Sequence, residues 1–296
     1  MVSSKTEFTE FIDSEVKKYE GVLVPVKAGF LERTLVKWVP IRKLHPNPDD
    51  EFCFPSIGPN YGIISNYEKT FRAGHSMRPN GDEEPLMVEK VHPDGYMILN
   101  GHHRWAAALR VGIKWAPVSI INLTQETDIE NMLRNSEHDK RVTIDLDEAV
   151  FCNAAETDAE KPLHFPFNRI YRERIRLGVP SLLHYLGGQG YDIWVYTSGL
   201  YSLEYIRAYF KRYSVKLDGI ITGTAVKTKR NAERKKKSEQ LFAAKYKETI
   251  HIDNETFVRV LPETGAYEEF ALGSAPADRL RDVADIIKGI KENEKI

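Results

Sequence analysis

The stretch Val142-Thr143-Ile144-Asp145-Leu146-Asp147-Glu148-Ala149-Val150 decides how the second half of this chain is read. Its opening residues are apolar and β-branched, which suits a strand buried on both faces, and two carboxylates arrive together at its end. From there toward the C-terminus, short apolar runs alternate with helical patterns. Residues 192–198 (DIWVYTS) read as a strand, 203–213 as a helix, 219–222 as a short strand and 229–247 as a strongly basic helix. Residues 249–253 read as another strand and 278–293 as a closing amphipathic helix, while 169–188 reads as helical with a break at Gly178-Val179-Pro180. Strands alternating with helices predict a parallel sheet covered on both faces.

In such a sheet, ligands gather at the carboxyl ends of the strands. Three predicted strands end in reactive groups: Asp145 and Asp147, then Thr197 and Ser198, then Asp253, Asn254 and Glu255, with Lys237 on the basic helix before the third. Carboxylates from different strand ends can hold a hard cation such as Mg²⁺ through oxygen. Hydroxyls, a lysine and free backbone N–H groups can hold phosphate oxygens. A carboxylate two residues from a nucleophile can donate and later accept a proton. Taken singly, a D-x-D is a common strand end, and a lysine run is a common solvated helix face. The order of the four elements is what points to phosphate chemistry.

Asp145-Leu-Asp147-Glu-Ala-Val150 resembles the first motif, D-x-D-x-T-[VL], of the haloacid dehalogenase (HAD) superfamily, and WVYTSG, Lys237 and IHIDNE resemble its second, third and fourth. The likeness spans 140–296, and the DLDE and IDN sequences are closest to the carboxy-terminal-domain phosphatase branch. The resemblance implies a Rossmann-like fold in which Asp145 attacks phosphorus and Asp147 serves as acid and base. It also implies that Lys237, Thr197 and Ser198 neutralise phosphoryl oxygens, and that Asp145, Asp147 and Asp253 supply the Mg²⁺ site. Ala149 stands where the family usually has Thr, and D-N-E replaces the common paired-Asp form, with Glu255 as a candidate second carboxylate. About twenty residues (151–170) follow the first motif before the next helix, which implies a small or absent cap.

Upstream, residues 5–19 have apolar positions at helical spacing, LVPVKAGFLERTLVKWVPI reads as one or two strands, and 45–60 is a loop dense in Pro, Asn and Asp. A compact unit follows: a strand at 86–91, an HPDG turn, a strand YMILN, and an Ala-rich helix from about 102 to 111. IKWAPVSIIN is a further strand, and 124–139 forms a short helix ending in a linker. Between YMILN and the helix lies Asn100-Gly101-His102-His103-Arg104. Gly101 permits close backbone approach, the helix N-terminus presents unsatisfied N–H groups, and Arg104 adds a fork of donors, which together suit an anion such as a nucleotide phosphate. The bland alternative is that the two histidines only cap and pack the helix.

This turn and its flanking strands resemble the N-terminal domain of the ParB/sulfiredoxin superfamily, and the double histidine is most similar to its free-serine-kinase branch. The resemblance implies binding of ATP, ADP or CTP at Gly101, His102, His103 and Arg104, with Asp49, Asp50 or Glu51 as the acidic residue that such kinases use. A sulfiredoxin role is not expected, because its cysteine would fall at His102.

The fold expected is therefore α/β, with a mixed α+β ParB/sulfiredoxin-like domain at 1–138 and a HAD-like domain at 139–296. With 296 residues, 42% hydrophobic and 29% charged, the chain can bury two cores. Residues 1–138 carry 16 Lys+Arg against 19 Asp+Glu, and residues 139–296 carry 26 against 24, so neither half has the positive excess that non-specific DNA binding uses. Cys53 and Cys152 suggest neither a disulfide framework nor a zinc site. The acidic N-terminus lacks a signal-peptide core, and no apolar run approaches the ~18 residues of a membrane span, so a cytoplasmic protein is expected. The function expected is an Mg²⁺-dependent phosphohydrolase or phosphotransferase for a small phosphorylated molecule, working through an aspartyl-phosphate at Asp145 and joined to a nucleotide-binding domain. A nucleotide-dependent amino-acid kinase with a regulatory HAD domain, and a partition-like nucleic-acid-associated protein, are the alternatives.

Overall fold

The computed structural model describes residues 5–19, 21–74, 76–77, 84–152, 158–224, 229–253, 255–273 and 276–293. Packing divides the chain into two units, Met1–Leu123 with Val226–Asn231, and Thr124–Ala225 with Ala232–Ile296. No helix of the described residues is long and apolar enough to cross a membrane.

The first unit begins with α1 (Lys5–Tyr19), whose Phe8 and Ile12 turn into the core. The 23–41 region, expected as strands only, contains β1 (Val24–Pro25), a short helix α2 (Phe30–Thr34) and β2 (Lys37–Pro40). Glu32 explains the helical turn: its carboxylate accepts from the Gly29 N–H at 3.0 Å and from Lys90 Nζ, so the chain is capped where an alternating strand would leave those donors unmet. After β3 (Leu44–His45) comes the expected loop, interrupted by one helical turn at Glu51–Cys53. Helix α3 (Tyr61–Gly74), which no expected element covered, buries Ile64 and Phe71. Then follow β4 (Leu86–His92), β5 (Tyr96–Asn100), α4 (His102–Val111) and β6 (Trp115–Ile120) at the expected places. The sheet runs β2-β6-β4-β5-β3 with β1 added to β4. Pairing is antiparallel except for β4 with β6 and β3 with β5. Trp105 and Ala106–Ala108 of α4 are buried in the core of this unit, as their small and aromatic character predicts.

In the second unit, α5 (Glu126–Arg134) buries Ile129, Met132 and Leu133 with Trp194, Phe242 and Tyr246. The composition change suggested a boundary near 138; by packing, α5 lies with the elements that follow it. Next come β7 (Lys140–Asp145), β8 (Phe151–Cys152), α6 (Phe167–Ile170), β9 (Arg174–Ile175), α7 (Val179–Gly188) and β10 (Asp192–Tyr196). The chain continues through α8 (Leu203–Arg212), β11 (Gly219–Ile221), α9 (Lys229–Lys245), β12 (Glu248–Ile252), β13 (Thr256–Leu261), β14 (Ala266–Ala271) and α10 (Pro276–Asn293).

The sheet order is β11-β10-β7-β12-β13-β14, with the first four strands parallel and the last two antiparallel. The helix expected over 169–188 is split. Residues 174–175 pair with 151–152 as a small two-stranded ribbon, and the helix restarts at Val179-Pro180, where proline suits the first turn. The β13–β14 hairpin was not among the expected strands. Its signals are the alternation of T-F-V-R-V-L and the turn Pro262-Glu263-Thr264-Gly265, which ends on a glycine of positive φ. Both cysteines are free thiols, and burial pushes that of Cys53 up to about 12.

Candidate functional site

Strand β7 lies between β10 and β12, and the chain leaves it toward β10 and β11 before crossing to β12 on the other side. The carboxyl end of β7 is thus the point where strand order reverses, and a crevice forms there in open parallel sheets. Asp145 closes β7. Its Oδ1 accepts from the Asp147 N–H at 2.7 Å and the Glu148 N–H at 3.1 Å, capping a wide helical turn over Leu146–Val150. That cap explains why an Asp, rather than a larger acid, ends the strand.

Asp147 is gripped from the loop after β10. Thr197 Oγ1 donates to it at 2.8 Å, and Ser198 donates through both its N–H and its Oγ at 2.6 Å. Thr197 is fully buried and also accepts from the Gly199 N–H at 2.9 Å. The two hydroxyls expected to meet phosphate are therefore turned to a carboxylate, whose orientation they fix. From β12 comes Asp253, whose backbone N–H donates to Thr256 O at 3.0 Å. Burial raises the Asp145 pKa above the ordinary carboxylate value; the two backbone N–H groups work against it, and the charges of Asp147 and Asp253 add to it. The exposed Glu148 is also raised, first by the charge of Asp253, then by Asp145, with a hydrogen bond to Asp253. Four carboxylates from two strand ends and one turn thus crowd together.

Lys237 is directed elsewhere: it ion-pairs with Glu126 and, at 3.7 Å, with Glu130, both on α5. The structure brings together Asp145, Asp147, Thr197, Ser198 and Asp253, and gives Lys237 different partners. Asn254 lies outside the described residues. Glu148 was not singled out as a site residue; its signal was its place directly after the D-x-D.

Among the described residues, no group of three or more acidic, histidine or cysteine side chains is placed to hold a metal ion. Carboxylate oxygens are nonetheless the donor type that a hard cation such as Mg²⁺ takes.

The first unit carries a second constellation, around the start of α4. Gly101 stands before the helix with φ of 104°, a left-handed conformation that glycine tolerates. The buried His102 accepts from the Asn47 N–H at 3.2 Å through Nε2, and its Nδ1 lies 3.5 Å from Asp50 Oδ2. His103 Nε2 accepts from the Asn60 N–H at 3.1 Å. Phe52 stacks on His102 and meets His103 edge-on, at 5.4 and 5.1 Å between centroids. The two histidines therefore tie the 47–60 loop to α4, a structural role beside the expected ligand role. Arg104 donates to the Glu84 carbonyl. A pocket of about 220 Å³ opens here, lined by Asp50, Tyr67, Asn100, Gly101, His102, His103 and Arg104 among others. Of the three acidic candidates in the loop, Asp50 is the one on the pocket wall.

Burial drives the His102 pKa down to about 4, partly opposed by Asp50. A neutral imidazole is what its acceptor role requires. Because the folded pKa lies below the usual 6.5, the stabilisation is complete above about pH 6.5 and is lost as pH falls through about 4. His251, pushed down to about 4 first by burial and then by Arg141, adds a loss in the same window. In denaturant titrations from pH 7 to 4, His102→Gln is expected to flatten the decline by on the order of 1–3 kcal/mol. An unchanged slope would refute the neutral-histidine assignment.

The first unit is thus a mixed-sheet α+β domain with a glycine-fronted helix at its ligand-sized pocket. Residues 68–136, from within α3 to just beyond α5, match the ParB N-terminal domain family. No curated protein matches the sequence. Among solved structures, the chain is similar to the C-terminally truncated chromosome-partitioning protein ParB from Caulobacter crescentus complexed with CTP-γ-S. Identity is 24%, with 36% of this chain and 56% of that one covered and a TM-score of 0.24, so this chain spans about half the length of that protein. It is also similar to a free serine kinase in complex with AMP, at 14% identity, covering 84% of this chain and 94% of that one, with a TM-score of 0.24.

Proposed function

We propose that the second unit is an Mg²⁺-dependent phosphohydrolase or phosphotransferase that works through Asp145. The observation carrying this reading is that Asp147, Thr197, Ser198 and Asp253 meet around Asp145 where the parallel strand order reverses. Asp145 Oδ attacks phosphorus, the bond from phosphorus to the leaving oxygen breaks, and Asp147, protonated at that stage, delivers a proton to that oxygen. Asp147 then takes a proton from water as the water attacks the aspartyl-phosphate, releasing inorganic phosphate and restoring both carboxyl groups. The hydroxyl and backbone donors on Asp147 fix its orientation for both transfers. Asp145, Asp147 and Asp253 are the residues that would hold Mg²⁺, which would supply neutralisation of phosphoryl charge. The HAD resemblance supports the same assignment. Phosphate release from a panel of phosphate monoesters, starting with p-nitrophenyl phosphate, is expected with Mg²⁺ and abolished by EDTA; release that survives EDTA would sink the reading.

The pocket at Gly101 supports a second, separate activity in the first unit: binding of a nucleotide phosphate. The carrying observation is that a helix N-terminus and Arg104 share one pocket wall. Titration with ATP, ADP and CTP tests it, and binding unchanged in Arg104→Ala would count against it.

A further inference from the structure

The grip on Asp147 depends on the loop that supplies it, residues 197–199, and that loop is itself held by the segment that follows β11. Thr224 donates its N–H and its Oγ1 to Thr197 O at 3.1 and 3.2 Å, and the Gly223 N–H donates to Gly199 O at 3.1 Å. Within β11, Ile221 O accepts from the Thr197 N–H at 3.0 Å. β11 is the end strand of its sheet, so among the described residues one side of its backbone has no neighbouring strand. There the hydroxyl of Thr124 takes the place of one. Its Oγ1 donates to Ile220 O at 2.9 Å and accepts from the Thr222 N–H at 3.1 Å, the two groups that a further parallel strand would use. The Thr124 N–H donates in turn to Thr222 Oγ1 at 3.1 Å. Thr124, Thr222 and Thr197 are fully buried, so these groups have no water to turn to.

We propose that Thr124 is a positioning residue for the acid cluster. By closing the open edge of β11 it sets the 222–224 segment, which sets the 197–199 loop, which orients Asp147. The inference rests on the phosphoryl-transfer reading, in which Asp147 must reach first the leaving oxygen and then water. Thr124 touches no reacting atom and acts only through that relay. Its hydroxyl is required because it donates and accepts at once, whereas valine, of nearly the same shape, does neither. Without it a buried carbonyl and a buried N–H lose this partner, which the end of β11 relieves by shifting. A small displacement of an acid/base group is enough to slow proton transfer. Thr124 is the first residue of the second unit and lies 98 residues before Thr222, so no motif at the acid cluster announces it.

Thr124→Val and Thr124→Ser in the full chain test the relay, read by amide hydrogen exchange and by phosphate release. The reporter is the Ser198 N–H, which donates to Asp147 Oδ2 at 2.6 Å. In Thr124→Val its exchange is expected to be at least about tenfold faster. The amides of the fully buried Val142 and Val195, inside the sheet, should be unchanged and so control for folding. The kcat for phosphate release should fall about tenfold with KM within about twofold, because misorientation of Asp147 acts on the transition state rather than on binding. Thr124→Ser keeps the hydroxyl and should restore both readouts. Thr224→Ala removes only the Oγ1 bond to Thr197 O, at an exposed position, and should speed Ser198 exchange in the same direction. That variant decides the matter should Thr124→Val fail to fold. A Ser198 amide as protected in either variant as in the wild type would overturn the relay. So would a kcat that stays unchanged beside faster exchange, or a loss that Thr124→Ser does not reverse. Exchange needs no turnover, so a protein without phosphatase activity would sink the catalytic reading and leave this measurement standing.

Discussion

Replacing Asp145 by Asn is expected to lower phosphate release by about 10³-fold or more while leaving the second unit folded. The carboxylate is the group that attacks phosphorus in the proposed reaction, and an amide oxygen is a far weaker nucleophile. The structural role of the side chain survives, because the amide oxygen still accepts from the N–H groups of Asp147 and Glu148. Stability should be equal or slightly higher at neutral pH. The raised pKa of Asp145 means that its ionised form is disfavoured in the folded state, so removing the charge relieves first the cost of its burial and then the repulsion from Asp147 and Asp253. Circular dichroism and thermal unfolding supply the fold control. Undiminished turnover in this variant would remove Asp145 from the mechanism.

The second large effect concerns Gly101. A Cβ added there would overlap Leu86 Cδ2 and sit 2.9 Å from an Arg104 terminal nitrogen, at a φ of 104°. Leu86 is fully buried, so it cannot step aside without opening the core around β4. Gly101→Ala should cost about 2–4 kcal/mol, combining left-handed backbone strain with overpacking. Gly112, at the other end of the same helix, has a φ of 85° and nothing within 4 Å of where a Cβ would lie, so Gly112→Ala should cost only ~1–2 kcal/mol. Urea unfolding of the two variants separates the steric part from the backbone part. Equal losses would mean that Gly101 is required only for its conformation.

Most of the second unit was legible because its signals are local. Apolar runs with β-branched residues marked β7, β10 and β12, and their terminal polar residues marked Asp145, Thr197 and Asp253. What was not legible depends on contacts distant in sequence. Whether 171–178 is helix or strand turns on pairing with Phe151–Cys152, more than twenty residues earlier, and no periodicity reports that. The partner of Lys237 is set by α5, over a hundred residues upstream, so a lysine at motif-like spacing in sequence can still be directed to Glu126 and Glu130. In the first unit, the Gly101 turn was visible from composition. The use of His102 and His103 as acceptors for the Asn47 and Asn60 N–H groups was not, because those donors lie some fifty residues away.

The account centres on a covalent phosphoryl group at Asp145, and chemical trapping tests that most directly. The protein is incubated with Mg²⁺ and p-nitrophenyl phosphate, quenched in acid, reduced with borohydride, which converts an acyl phosphate to an alcohol, and digested for mass spectrometry. The expected result is reduction at Asp145, dependent on both Mg²⁺ and the ester and absent at Asp147 and Asp253. Turnover in the same sample with Asp145 unreduced, or reduction at another carboxylate, would contradict the mechanism.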